Sequence, residues 1–279
     1  MVRKLIIILA VSLTMLSAHA QDPKLQALET EADTLMSRED FEGAVKLYTR
    51  VIDASKLKEK TDYRALYKRG VAYYSSGDFK SAVSDMDIFI PQFQESFQAR
   101  ILRALCYREL GDSDKQLADV EAALTLSGGE PQLLKWRAGL LLEKEEFNQA
   151  IADLLIVRQM NDDPEVELNL GFAYYSVDKK DSALMAINKS IELEPTFLHA
   201  YLYGSSFSLE DGNYDLAVRY ANAALMLESD NATALFYKGV ALIELKKEDE
   251  ACSCLQRAFY SGHDDAGDYL KQYCYGIED

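Results

Sequence analysis

Few residues in this chain are able to do covalent or metal chemistry. Cysteine occurs at Cys106, Cys252, Cys254 and Cys274, and beyond the N-terminal stretch the only histidines are His199 and His263. Cys252, Cys254, His263 and Cys274 have the makings of a tetrahedral zinc set. Cys-x-Cys in a regular helix, however, turns its two sulfurs about 200° apart, and they cannot share one ion without unwinding, so no metal is expected. The acid pairs Asp162-Asp163 and Asp264-Asp265 fall where helices should begin, and capping accounts for them. Asn188-Lys189-Ser190 matches a glycosylation sequon, but Ser190 falls at a position expected to be buried. There is no H-E-x-x-H, no G-x-S-x-G, no Gly-rich phosphate loop, and no cysteine–histidine pair with an orienting third group. No catalytic residue and no cofactor are assigned, and the chain is not expected to be an enzyme.

The elements that must position the remaining candidates are best seen between Pro164 and Pro195. Leu168, Leu170, Ala173 and Tyr174 recur at helical spacing. Asp178-Lys179-Lys180 reads as a polar turn, with Asp181 capping a second helix that carries Ala183, Leu184, Ile187 and Ile191. Gly171, Ala183 and Ser190 are short enough to let two helices cross closely.

This unit repeats through the chain. The small residue of the first helix returns as Ala32, Gly70, Ala104, Ala138, Gly171, Ser205 and Gly239. That of the second helix returns as Ala44, Ala82, Ala150, Ala183, Ala217 and Ala251, with Gln116 as the exception. An aromatic follows the turn at Phe41, Phe79, Phe147 and Tyr214. This period and these residue types resemble the tetratricopeptide repeat. The resemblance runs from near Leu25 to Ser261 and departs most in the third copy, where Ser113 and Gln116 replace the aromatic and the small residue. It implies an all-α, right-handed superhelical solenoid of about seven helix-turn-helix repeats. The expected organisation is a signal peptide at 1–20, the repeat array at 21–261, and a capping helix and tail at 262–279.

The resemblance also implies a binding surface. First helices in this family line the concave side and carry the ligand contacts. The residues placed there are Arg64, Tyr67, Lys68 and Tyr74 from the second copy, Arg108 from the third, and Lys135 and Trp136 from the fourth. Asn169, Phe172 and Tyr175 come from the fifth, with Tyr203 and Tyr237 from the last two. Tyr73 and Tyr174 are assigned to the core instead. The set is aromatic, with a basic cluster toward its N-terminal half, and suits an extended protein segment, a peptide or a sugar. Of the Lys, Asn and Arg clamp that holds chaperone tails in this family, only Lys135 and Asn169 are matched, which argues against recognition of a C-terminal carboxylate. The expected function is a non-enzymatic protein- or peptide-binding scaffold. A glycan or cell-wall binding module using the same aromatics, and a structural subunit of an envelope complex, are the alternatives.

The cysteines fit the same frame. Cys252 lies on the last repeat's second helix and Cys274 ends the capping helix, each ten to twelve residues from the turn near Gly262. Cys252 follows the crossing residue Ala251 and should face the next layer, so a Cys252–Cys274 disulfide is expected. Cys106 sits on an apolar face and reads as a small core residue.

A basic n-region, Met1-Val2-Arg3-Lys4, precedes an apolar run from Leu5 to Leu16 and a small-x-small site at Ala18-His19-Ala20. This is the pattern of a cleavable signal, with maturation after Ala20 and a periplasmic or secreted destination. The run is short of the ~20 residues that span a bilayer, so no membrane insertion is expected after cleavage. Removing Arg3 and Lys4 would take the net charge from −16 to −18. Such an acidic chain repels nucleic acid.

Overall fold

The computed structural model describes residues 22–57 and 61–275. The predicted signal peptide, part of the charged extension after Leu57, and the tail from Gly276 lie outside the described residues. Among the described residues α-helix is the only regular secondary structure. The chain divides into two compact units, Met1–Arg137 and Ala138–Asp279.

The first unit contains α1 (Pro23–Ser37), α2 (Phe41–Lys56), α3 (Tyr63–Ser76), α4 (Phe79–Phe89), α5 (Phe97–Leu110) and α6 (Ser113–Ser127). The division falls within α7 (Pro131–Glu143). The second unit continues with α8 (Phe147–Arg158), α9 (Pro164–Ser176), α10 (Lys180–Leu193), α11 (Leu198–Glu210) and α12 (Tyr214–Leu227). It ends with α13 (Ala232–Glu244), α14 (Glu248–Tyr260) and α15 (Ala266–Tyr273). From α1 to α6 and from α8 to α15 each helix packs on its neighbour in sequence. The first helices also touch one another, α3 against α5 and α9, α11, α13 and α15 in turn, so they share one face.

The crossing residues explain this packing. All thirteen small residues at the two repeated positions are buried, and so is Gln116, at 4% exposure. A Cβ on Gly171 would stand 2.7 Å from Ile187 Cδ1, and one on Gly239 would stand 2.7 Å from Leu255 Cγ. Helices this close admit only hydrogen there. Ser205 fits by donating its hydroxyl hydrogen to the Ala217 carbonyl at 2.9 Å.

Turns between paired helices obey one rule throughout. Glu39, Gly77, Gly111, Glu145, Asp178, Gly212 and Lys246 all take positive φ. The next residue caps the second helix through its side chain at Asp40, Asp78, Asp112 and Asn213. Asp181 does not cap α10 as expected. The chain reverses at Asp178, α10 begins at Lys180, and Asp181 lies in the first turn, where its charge faces the positive end of the helix dipole. Ser190 is fully buried and donates to the Pro164 carbonyl at 2.7 Å.

Candidate functional site

In the first unit several expected contact residues are already occupied. Tyr67 is 2% exposed and packs its ring on Phe89 at 5.2 Å. Burial pushes its phenol pKa up, and its hydroxyl has no hydrogen-bond partner among the described residues. Tyr74 is 8% exposed and lies against Phe79 at 5.6 Å. Both belong to the core and neither is a groove contact. The expected order of Tyr73 and Tyr74 is reversed: Tyr73 is the half-buried one, with the Arg69 guanidinium 5.6 Å from its ring centre.

The basic cluster is likewise engaged within the fold. Glu29 of α1 is 3% exposed and pairs with both Arg64 and Lys68 of α3. Lys68 also reaches Asp33 at 2.7 Å, and Asp33 accepts the Tyr48 hydroxyl at 2.5 Å. Charges 35 residues apart thus neutralise each other across a helix interface. Arg108 is exposed and bonds the adjacent Glu109 at 2.8 Å. Lys135 and Trp136 are half-buried on α7.

In the second unit the expected residues come together. Asn169, Tyr203 and Tyr237 stand two positions before the crossing residues Gly171, Ser205 and Gly239, one on each of α9, α11 and α13. All three are half-buried on the face these first helices share. Phe172 joins them, its ring 5.8 Å from Tyr203, and Tyr203 lies 5.6 Å from Phe207. Tyr175 stacks flat on Phe207 at 4.0 Å and 6°. Its hydroxyl donates to Glu210 at 3.2 Å or Asp211 at 3.3 Å, and Lys180 reaches Asp211 at 2.5 Å. Burial, with these two carboxylates, raises the Tyr175 phenol pKa. Five residues form a strip, Asn169 and Phe172, then Tyr203 and Tyr237, with Tyr175 at the rim, and of these only Tyr175 has its side-chain polar group hydrogen-bonded among the described residues. The strip's rings offer flat apolar area and its amide and hydroxyls offer orientation, which is the chemistry of a recognition surface.

Sequence reasoning passed over one constellation. Arg69 grips Asp85 through Nε at 2.9 Å and Nη2 at 2.7 Å, and Arg103 grips Asp119 through the same two nitrogens at 2.7 Å each. Both pairs are 16 residues apart and 34 residues from each other, a signal visible in the sequence. They are bidentate ion pairs between the two helices of one repeat and hold the fold together.

At the other end Cys252 and Cys274 form a disulfide, with Cα atoms 5.7 Å apart, and tie α15 to α14. Cys106 and Cys254 are buried thiols, and burial pushes the Cys106 pKa up to about 12. His263 stacks on Phe236 at 4.0 Å, and Tyr269 of α15 meets the same Phe236 ring in a T-shaped contact at 5.1 Å.

Paired helices of constant offset, small crossing residues and a shared first-helix face define a class, the all-α repeat proteins that act as interaction scaffolds. The tetratricopeptide repeat model matches residues 29–88, 67–131 and 209–266, more than half of the chain, and the chain belongs to that family. The family is typically a non-catalytic scaffold that binds proteins or peptides. No curated protein matches this chain. Solved structures do. A tetratricopeptide repeat protein from Parabacteroides merdae is 15% identical, with 90% of this chain and 98% of that one covered and a TM-score of 0.63. The C-terminal part of a TPR repeat-containing protein from Cytophaga hutchinsonii is 17% identical, with coverage of 87% and 99% and a TM-score of 0.70. YrrB, a TPR protein with an unusual peptide-binding site, is 17% identical, with coverage of 67% and 97% and a TM-score of 0.54.

Proposed function

We propose that this chain is a non-enzymatic scaffold of the cell envelope that holds a protein or peptide on the first-helix face of its second unit. The observation that carries this reading is the strip of Asn169, Phe172, Tyr203 and Tyr237. Asn169, Tyr203 and Tyr237 share one register on three consecutive first helices and remain half-buried, whereas Lys68, in that register on the second repeat, is tied to Glu29 and Asp33. The Asn169 amide, with no side-chain hydrogen bond among the described residues, suits a ligand backbone. YrrB, which has a peptide-binding site on the same fold, lends support by analogy. The signal-like N-terminus and the Cys252–Cys274 disulfide support export to the periplasm or beyond, where disulfides persist. Net charge of −16 disfavours nucleic acid as a partner. Among the described residues no helix is long and apolar enough to cross a membrane.

Affinity capture from envelope extract tests this reading. The bait is the mature chain beside an Asn169→Ala, Tyr203→Ala, Tyr237→Ala variant shown by circular dichroism to be folded. A polypeptide partner held by the first and lost by the second is the expected result. A partner held equally by both would refute it, and a glycan in place of a polypeptide would transfer the strip to the cell-wall alternative.

The structural-subunit alternative has one observation of its own. Met185, Met226 and Tyr260 are 72%, 88% and 77% exposed, all on the second helices α10, α12 and α14. Attachment through that side would leave capture intact in the strip variant and abolish it in a Met185→Ser, Met226→Ser variant.

A further inference from the structure

Charge is unevenly divided along this chain. Residues 1–137 carry 19 Lys and Arg against 20 Asp and Glu, whereas residues 138–279 carry 11 against 26. Nearly all of the net charge of −16 therefore belongs to the second unit, which also holds the open strip.

Acids recur on the strip in register with its aromatics. Tyr203 and Glu210 are seven residues apart on α11, and Tyr237 and Glu244 are seven apart on α13. Seven residues are two helical turns, ~10.5 Å along the axis, so each acid lies on the same stripe as its tyrosine. Ser206 and Val240 sit between them, and both are half-buried. Glu210 accepts the Ser206 hydroxyl at 3.2 Å and the Tyr175 hydroxyl at 3.2 Å, and Glu244 is exposed. These contacts orient Glu210 and leave its charge in place. Two cations of the unit are held by other acids, Arg158 by Glu167 at 2.7 Å and Arg257 by Asp230 at 2.9 Å, whereas Lys180 stands at the edge of the stripe, on Asp211 beside Glu210.

We propose that the occupant of this strip is a basic polypeptide segment in extended form. Lysine or arginine stems lie over the Tyr203 and Tyr237 rings, and their head groups meet Glu210 and Glu244. Aromatic faces attract such cations, and an alkyl stem covers apolar surface while its charge stays at the rim. Two Tyr-to-Glu stripes on adjacent first helices give the segment two seats, an open one at Glu244 and one at Glu210 that is shared with Ser206 and Tyr175. The inference rests on the proposed function, since it names the chemistry of the ligand for that same strip.

The test is fluorescence anisotropy on the full mature chain with three labelled peptide pools of scrambled order. Each peptide is about ten residues, long enough to cross three helices spaced ~9 Å apart. The pools share their aromatic and neutral residues and differ in carrying lysine and arginine, glutamate, or glutamine. The basic pool is expected to bind, and Glu210→Gln, Glu244→Gln is expected to weaken it about tenfold. A control variant, Asp215→Asn, Glu248→Gln, changes net charge equally on the second helices and should bind as the unaltered chain does. Equal weakening in the control would reduce the effect to general charge attraction and overturn the proposal. So would binding of the glutamine pool as tight as that of the basic pool, or binding by none of the three. A pool that binds, is lost with Tyr203→Ala, Tyr237→Ala and ignores Glu210→Gln, Glu244→Gln would overturn the charge inference and keep the strip as the binding face.

Discussion

Arg69 and Asp85 illustrate how a single pair decides local stability. The Asp85 side chain is 4% exposed and that of Arg69 is 15% exposed. Burial raises the Asp85 pKa even though Arg69 opposes the rise, so desolvation outweighs the pairing. Asp85→Ala should therefore cost about 3 kcal/mol, because a buried guanidinium loses its partner. Later repeats put Leu170 with Ala186, and Gly204 with Tyr220, in the same two places. Arg69→Leu combined with Asp85→Ala copies the first of these and should recover most of the loss. Urea unfolding of the two singles and the double measures the coupling. A double variant as unstable as the sum of the singles would contradict this reading. The residue scale is also where the sequence was hardest to read. Tyr67 and Tyr74 look like Tyr203 and Tyr175 in type, and Tyr74 shares the offset of Tyr175 from its crossing residue, yet both are core, because Phe89 and Phe79 stand over them. Arg64 and Lys68 look like a basic patch until Glu29 and Asp33 are folded against them. In each case the deciding neighbour lies on another helix, where periodicity within one helix carries no information.

Elements were more legible, since their rules are local. Small residues marked thirteen of the fourteen repeated crossing positions, with Gln116 at the other. What the sequence hid was the strain in four of the seven turns. Glu39, Glu145, Asp178 and Lys246 hold φ near +60°, where glycine stands in the other three. A side chain in that left-handed region costs roughly 1 kcal/mol against glycine. Lys247 and Lys179 occupy capping places where Asp78 and Asp112 bond the backbone, and they make no such bond. Lys246→Gly and Lys247→Asp should each stabilise the chain, by about 1 kcal/mol. Thermal unfolding measures this, and a lowered midpoint for either variant would show that the turn is held by contacts other than its own backbone. The cap helix α15 obeys a different rule. It covers apolar residues of α13 and α14, with Ala266 and Leu270 buried against Leu255 and Phe236, and the disulfide fixes it there.

At the scale of the whole molecule, the same fold carries two different surfaces. In the first unit the first helices spend their charged and aromatic residues within the fold, Arg64 and Lys68 on the preceding first helix and Tyr67, Arg69 and Tyr74 on the paired second helix. In the second, the strip on α9, α11 and α13 stays half open and acidic at its rim. A family scaffold of this kind acts by holding, so its activity should follow access to that strip and to the carboxylates at its rim. The most direct measurement places a photo-reactive phenylalanine analogue at one position at a time in cells. Positions 203 and 237 sample the strip, and positions 185 and 226 sample exposed second helices. The account predicts polypeptide adducts from 203 and 237 and none from 185 or 226. Adducts confined to 185 and 226 would contradict it and move the interface to the second-helix side.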